Sequence, residues 1–125
     1  MTYVFDIDGT ICRKPSEDYD QTVTIRKKTE PQDYTQAIPI KERIEKINKL
    51  YNEGHTIIYL TARGMGRHKN NRVAAIIDFY DITEKQLEKW GAQYHELFFG
   101  KPAADFYIDD KGINDGDFFK DGIRS

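Results

Sequence analysis

Tyr3-Val4-Phe5-Asp6-Ile7-Asp8-Gly9-Thr10 runs a short apolar stretch straight into two carboxylates and a glycine. Tyr3 to Asp6 reads as a buried strand, and Gly9 permits the tight turn after it. Downstream, helical periodicity alternates with short apolar runs, the signature of a parallel α/β domain. Ile40, Ile44, Ile47 and Tyr51 recur at helical spacing, with Pro39 suited to the first turn and Gly54 to the left-handed position past the end. Thr56 to Leu60, rich in β-branched residues, is a second strand. A helix is predicted from about Lys69 to Tyr80, burying Val73, Ile76 and Ile77. The capping-box pattern Thr83-Glu84-Lys85-Gln86 announces another, ending near Gly91. Leu97-Phe98-Phe99 and Phe106-Tyr107-Ile108 supply two more strands, and the tail after Lys111 has room for a short helix.

A length of 125 residues is one domain's worth. With 38% hydrophobic and 32% charged residues, the composition is that of a soluble globular chain. No apolar run approaches a membrane span, and Met1 stands too close to the first strand for a signal segment, so a cytoplasmic location is expected. The net charge of −2 offers nucleic acid no general attraction. The single cysteine, Cys12, excludes an intrachain disulfide and a zinc site built of several thiolates. Residues 13–38 are irregular and polar, with Thr22 to Lys27 readable as one arm of a hairpin. They are too poor in apolar residues for a core of their own, so we read an elaborated loop within a single domain, 1–125.

In open parallel sheets, ligands bind beyond the carboxyl ends of the strands. That rule draws the ends of three predicted strands, Asp6, Thr61 and Asp109-Asp110, to one edge. Hydrolysis of a phosphate monoester needs a nucleophile, a proton donor for the leaving alkoxide and positive charge on the phosphoryl oxygens. Asp6 can attack phosphorus, while Asp8 protonates the leaving group and then activates water. Backbone N–H groups of the turn can hold the phosphate. The rival calcium-loop reading lacks the regularly spaced oxygen ligands and the distal Glu. Thr61 can hydrogen-bond a phosphate oxygen, and Lys101, between Gly100 and Pro102, can neutralise its charge. Adjacent Asp109 and Asp110 repel each other unless a cation compensates, and magnesium suits such oxygen ligands. Asp6 and Asp109 would contribute side-chain oxygens, Asp8 its carbonyl, and Asp110 a direct or water-mediated contact.

Asp6-x-Asp8-Gly9-Thr10, then Thr61, Lys101 and Asp109-Asp110, resembles the four motifs of the haloacid dehalogenase superfamily across residues 3–111. The resemblance implies a Rossmann-like three-layer α/β/α fold with a mainly parallel sheet, an aspartyl-phosphate intermediate and an essential magnesium ion. It implies the same roles for Asp6, Asp8, Thr61, Lys101 and Asp109. Phe5 to Cys12, Thr61-Ala62-Arg63-Gly64 and Gly100-Lys101-Pro102 look most like the small capsule-biosynthesis phosphatases of bacteria, which implies a phosphorylated sugar or capsular precursor as substrate. Lys101 lies only eight positions before Asp109, which is unusual for that superfamily, and Lys111 is the alternative cation. No stretch is long enough for a full cap, so an open site is expected, suited to a large substrate or to a lid borrowed in a homo-oligomer.

Around Arg63, the residues Arg67, His68, Lys69 and Arg72 read as a solvated helix start, whereas Arg63 itself reads as a contact to an acidic substrate group. Arg26-Lys27-Lys28 suits a solvated loop, and Cys12 and Trp90 suit packing. Two other functions fit parts of the pattern: a phosphatase of nucleotides or polynucleotide ends, and a non-catalytic phosphate-binding or assembly protein. An extended basic stripe is lacking for the first, and the intact acidic and basic set weighs against the second.

Overall fold

The computed structural model describes residues 1–15 and 33–120. Thr2–Phe5 (β1) pairs in parallel with Thr56–Thr61 (β4), Thr2 facing Thr56 and Phe5 facing Tyr59. β4 pairs in parallel with Glu96–Phe99 (β5), from Ile58 opposite Glu96 to Thr61 opposite Phe99. The order β1-β4-β5 makes a small, mainly parallel sheet with helical crossovers, a Rossmann-like α/β arrangement. Side chains alternate across a strand. Phe5, Ile57, Tyr59, Leu97 and Phe99 therefore share one face, where they pack with Ile44 and Ile47 of Lys41–Asn52 (α1) and Ala75 and Leu87 of Arg72–Lys89 (α2). Val4 and Phe98, on the other face, are exposed among the described residues.

Both predicted helix-bearing regions form, with changed boundaries. Pro39 is not in the first turn of α1. Ile38–Pro39 (β3) instead pairs antiparallel with Cys12–Arg13 (β2), an edge pairing that tolerates the missing N–H. Ile40 N–H donates to the Ile11 carbonyl at 2.8 Å, and α1 begins one residue later. At its other end Gly54, with φ +97°, lets His55 N–H reach back to the Leu50 carbonyl.

The two helices expected between Lys69 and Gly91 are one. α2 starts after Asn71, whose side chain accepts from Ala74 N–H, because Lys69 and Asn70 hold positive φ. No Gly or Pro interrupts Tyr80 to Thr83, and Thr83 is buried with its hydroxyl turned to Arg63 instead of capping a new helix. Val73 and Ile77, expected in the core, are exposed, and Ile76 is half-buried. The buried stripe is Ala75, Thr83 and Leu87.

Phe106-Tyr107-Ile108 does not form a strand, and Phe106 and Ile108 stand 81% and 94% exposed. The tail helix does form, as Asp115–Phe119 (α3). Phe118 and Phe119 pack their rings on Phe5, and Arg43 of α1 binds Asp115 at 2.7 Å. The expected hairpin arm at Thr22 to Lys27 and the basic Arg26-Lys27-Lys28 lie outside the described residues.

Candidate active site

Asp6 directly follows the carboxyl end of β1, where the strand stops and the chain must turn. Gly9 has φ +84° there, the left-handed conformation that a turn of this tightness requires. The turn closes on itself. Gly9 N–H donates to the Cys12 carbonyl, and Thr10 and Ile11 N–H both donate to the Ile7 carbonyl. Gly9, Thr10 and Ile11 N–H are therefore engaged within the loop.

Asp6 is half-buried, and loss of solvent raises its carboxyl above the usual range despite the opposing pull of Lys101. Lys101 reaches it because β5 ends beside β4: Lys101 N–H donates to the Thr61 carbonyl, and Nζ then stands 3.8 Å from Asp6 Oδ1. The ammonium also sits 4.3 Å from the centre of the Tyr107 ring.

Asp8 is bound differently. Arg63 Nε donates to Asp8 Oδ2 at 2.9 Å and Nη2 donates to Oδ1 at 3.0 Å, a bidentate pair. Nη1 donates to Thr83 Oγ1 at 3.1 Å and Gln86 Oε1 at 2.7 Å, both on α2. The guanidinium lies 4.7 Å from the centre of the Tyr34 ring, in the single helical turn Tyr34–Gln36. Tyr34 is fixed in turn: its hydroxyl accepts from Gly64 N–H, its carbonyl from Gln86 Nε2. Arg63 is 1% exposed, so the contact it makes is with Asp8. The expectation that it meets an acidic group of the substrate is corrected accordingly. Burial is affordable because the charge is paired and each of its nitrogens donates a hydrogen bond.

Thr61 is fully buried, and its hydroxyl accepts from Arg63 N–H at 3.0 Å, shaping the turn that delivers Arg63. It does not line the cleft. That cleft has a volume of about 290 Å³ and is bordered by Asp6, Asp8, Tyr34, Arg63 and Arg67. A second hollow of about 210 Å³ also borders Asp8 and Tyr34, against Cys12, Lys14 and Asp33. The Cys12 thiol is buried beside Asp8, and both burial and that negative neighbour push its pKa up to about 12. A thiol so held is no nucleophile.

Asp109 and Asp110 are not brought to Asp6 and Asp8 as a metal-holding group; among the described residues no three acidic, His or Cys side chains form one. One Asp109 oxygen accepts from Lys111 and Gly112 N–H, both at 2.6 Å, which holds its carboxyl below the usual range. Asp110 pairs with Lys111 in solvent at 3.3 Å. Without a strand at 106–108, nothing carries these carboxylates to the sheet edge. The ligand set expected for magnesium therefore does not fit this arrangement. Tyr34, Thr83 and Gln86 were not foreseen as site residues, and their only signal in the sequence, a polar residue within an amphipathic helix or loop, is too common to decide.

No family model and no curated protein matches the chain. The chain is similar to a crystal structure of a target from Vibrio cholerae, with a TM-score of 0.73 and 28% identity over 94% of this chain and 85% of that one. The shared architecture is the small, mainly parallel, Rossmann-like α/β fold.

Proposed function

We propose that this chain is a phosphoric monoester hydrolase working through an aspartyl-phosphate on Asp6. The observation that carries the reading is the placing of Asp6 past the carboxyl end of a parallel strand, with the Lys101 ammonium 3.8 Å away and Asp8 on the same cleft. Asp6 oxygen attacks phosphorus, and the bond from phosphorus to the leaving oxygen breaks. Asp8 gives that oxygen its proton. Water then attacks the phosphorus, Asp8 takes its proton, and the bond to Asp6 breaks to return the carboxylate. Lys101 offsets charge gathering on the phosphoryl oxygens.

Each step uses the chain's own side chains. The resemblance implies a magnesium requirement, which the exposed placing of Asp109 and Asp110 does not support, and for the substrate a phosphorylated sugar or capsular precursor. The test is phosphate release from sugar phosphates, nucleotides, a 3′-phosphorylated oligonucleotide and small esters, with magnesium or with chelator. Release that is lost in Asp6→Asn is the expected result, and turnover surviving in that variant would falsify the mechanism. The chelator arm reads the magnesium requirement directly, and the oligonucleotide arm tests the polynucleotide alternative.

A further inference from the structure

Arg63 spends four hydrogen bonds on three partners, and none of them is exposed solvent. Two go to Asp8, one to Thr83 and one to Gln86, while Tyr34 covers the plane of the guanidinium. A side chain needed only to neutralise Asp8 would require neither the fork nor the anchors. Rigid bidentate geometry fixes both the position and the rotation of a carboxylate. Anchoring Nη1 to two residues of α2 ties that rotation to the helix. Tyr34 ties it to the helical turn Tyr34–Gln36 that precedes β3.

We propose that Arg63 is a positioning residue: it orients the Asp8 carboxylate, with both oxygens as acceptors, to take a proton from the water that releases phosphate from Asp6. This rests on the aspartyl-phosphate reading above. In the step concerned, water oxygen bonds to phosphorus, the bond from phosphorus to Asp6 oxygen breaks with its electron pair returning to Asp6, and the water proton passes to Asp8. Both Asp8 oxygens accept from Arg63 in the structure, the orientation which that step needs.

The experiment is rapid-quench hydrolysis of 4-nitrophenyl phosphate and phenyl phosphate by the full chain, with magnesium present. Arg63→Lys keeps the charge but loses the fork. Phosphate release from the intermediate should slow about 100-fold, the scale of a misplaced reacting group. Phenol product then appears in a burst equal to the enzyme concentration, kcat becomes the same for both esters, and KM falls. Gln86→Met removes one anchor with little volume change and should show the same pattern more mildly, which covers the case in which Arg63→Lys does not fold. A raised KM with kcat retained on both esters overturns the proposal in favour of a substrate anchor. Parallel losses on both esters without a burst overturn it in favour of packing alone.

Failure of the parent reading looks different, because wild type and Asp6→Asn would then release equal phosphate from either ester. The pairing is read without turnover by side-chain NMR. Arg63 Nε–H should exchange slowly in the wild type and rapidly in Asp8→Asn, and fast exchange in the wild type overturns the positioning role.

Discussion

At the scale of the residue, Tyr59 and Arg63 show two outcomes of placing a polar group in a core. The Tyr59 hydroxyl is buried in β4 and finds no hydrogen-bond partner among the described residues, with Tyr94 only edge-on to its ring. An unpartnered buried hydroxyl costs about 1–3 kcal/mol. Tyr59→Phe should therefore raise stability by about 1 kcal/mol, read as a higher urea midpoint at unchanged slope. A lower midpoint would mean that the hydroxyl has a partner in solution. Arg63 is the contrary case, its buried charge being answered by Asp8 and each guanidinium nitrogen hydrogen-bonded. The carboxylates Asp6 and Asp8 were legible because they follow one another across a single turn. Arg63 was legible as important and misjudged in its contact, since its partners lie 20 to 55 residues away.

Among elements, the junction of β4 with α2 decides the site. Thr61 turns the chain, Arg63 enters the core, and Gly64 follows at φ +77°. A Cβ at Gly64 would stand 2.6 Å from Phe79 Cδ2 and 3.1 Å from Ala75 Cβ, both on α2. Gly64→Ala should cost about 2 kcal/mol from crowding and backbone strain, and it should also loosen Arg63. Thermal unfolding checks this; an unchanged midpoint would mean that Phe79 swings aside freely. The same junction explains why α2 is one helix. The 83–86 pattern has the chemistry of a cap, but Thr83 and Gln86 offer their oxygens to Arg63 Nη1. A side chain satisfied by a tertiary donor no longer competes for the backbone.

For the molecule as a whole, the half-buried Asp6 makes stability depend on pH. Its folded carboxyl is raised above the ordinary 3.8, first by burial. The stability contributed by the neutral form is complete below that ordinary value and is lost as pH rises through the raised one. Asp6→Asn keeps a neutral group at all pH, so it should unfold at a higher temperature than wild type at pH 7, with the gap closing near pH 3. A gap that reverses sign would mean that attraction to Lys101 outweighs desolvation. The first strand, the strands at Thr56–Leu60 and Leu97–Phe99 and the helix after Ile40 could be read directly, because the period of apolar residues there reflects which side of an element is buried. By itself the sequence determined a parallel α/β domain with a carboxylate pair at the end of its first strand. Those features depend on local pattern and on one turn. Only the tertiary structure decided that Arg63 serves Asp8, that Thr61 is buried, that α2 is continuous and that Asp109 stays in an exposed loop. Each of these depends on which distant group satisfies a donor or covers an apolar face, and spacing along the chain does not carry that information.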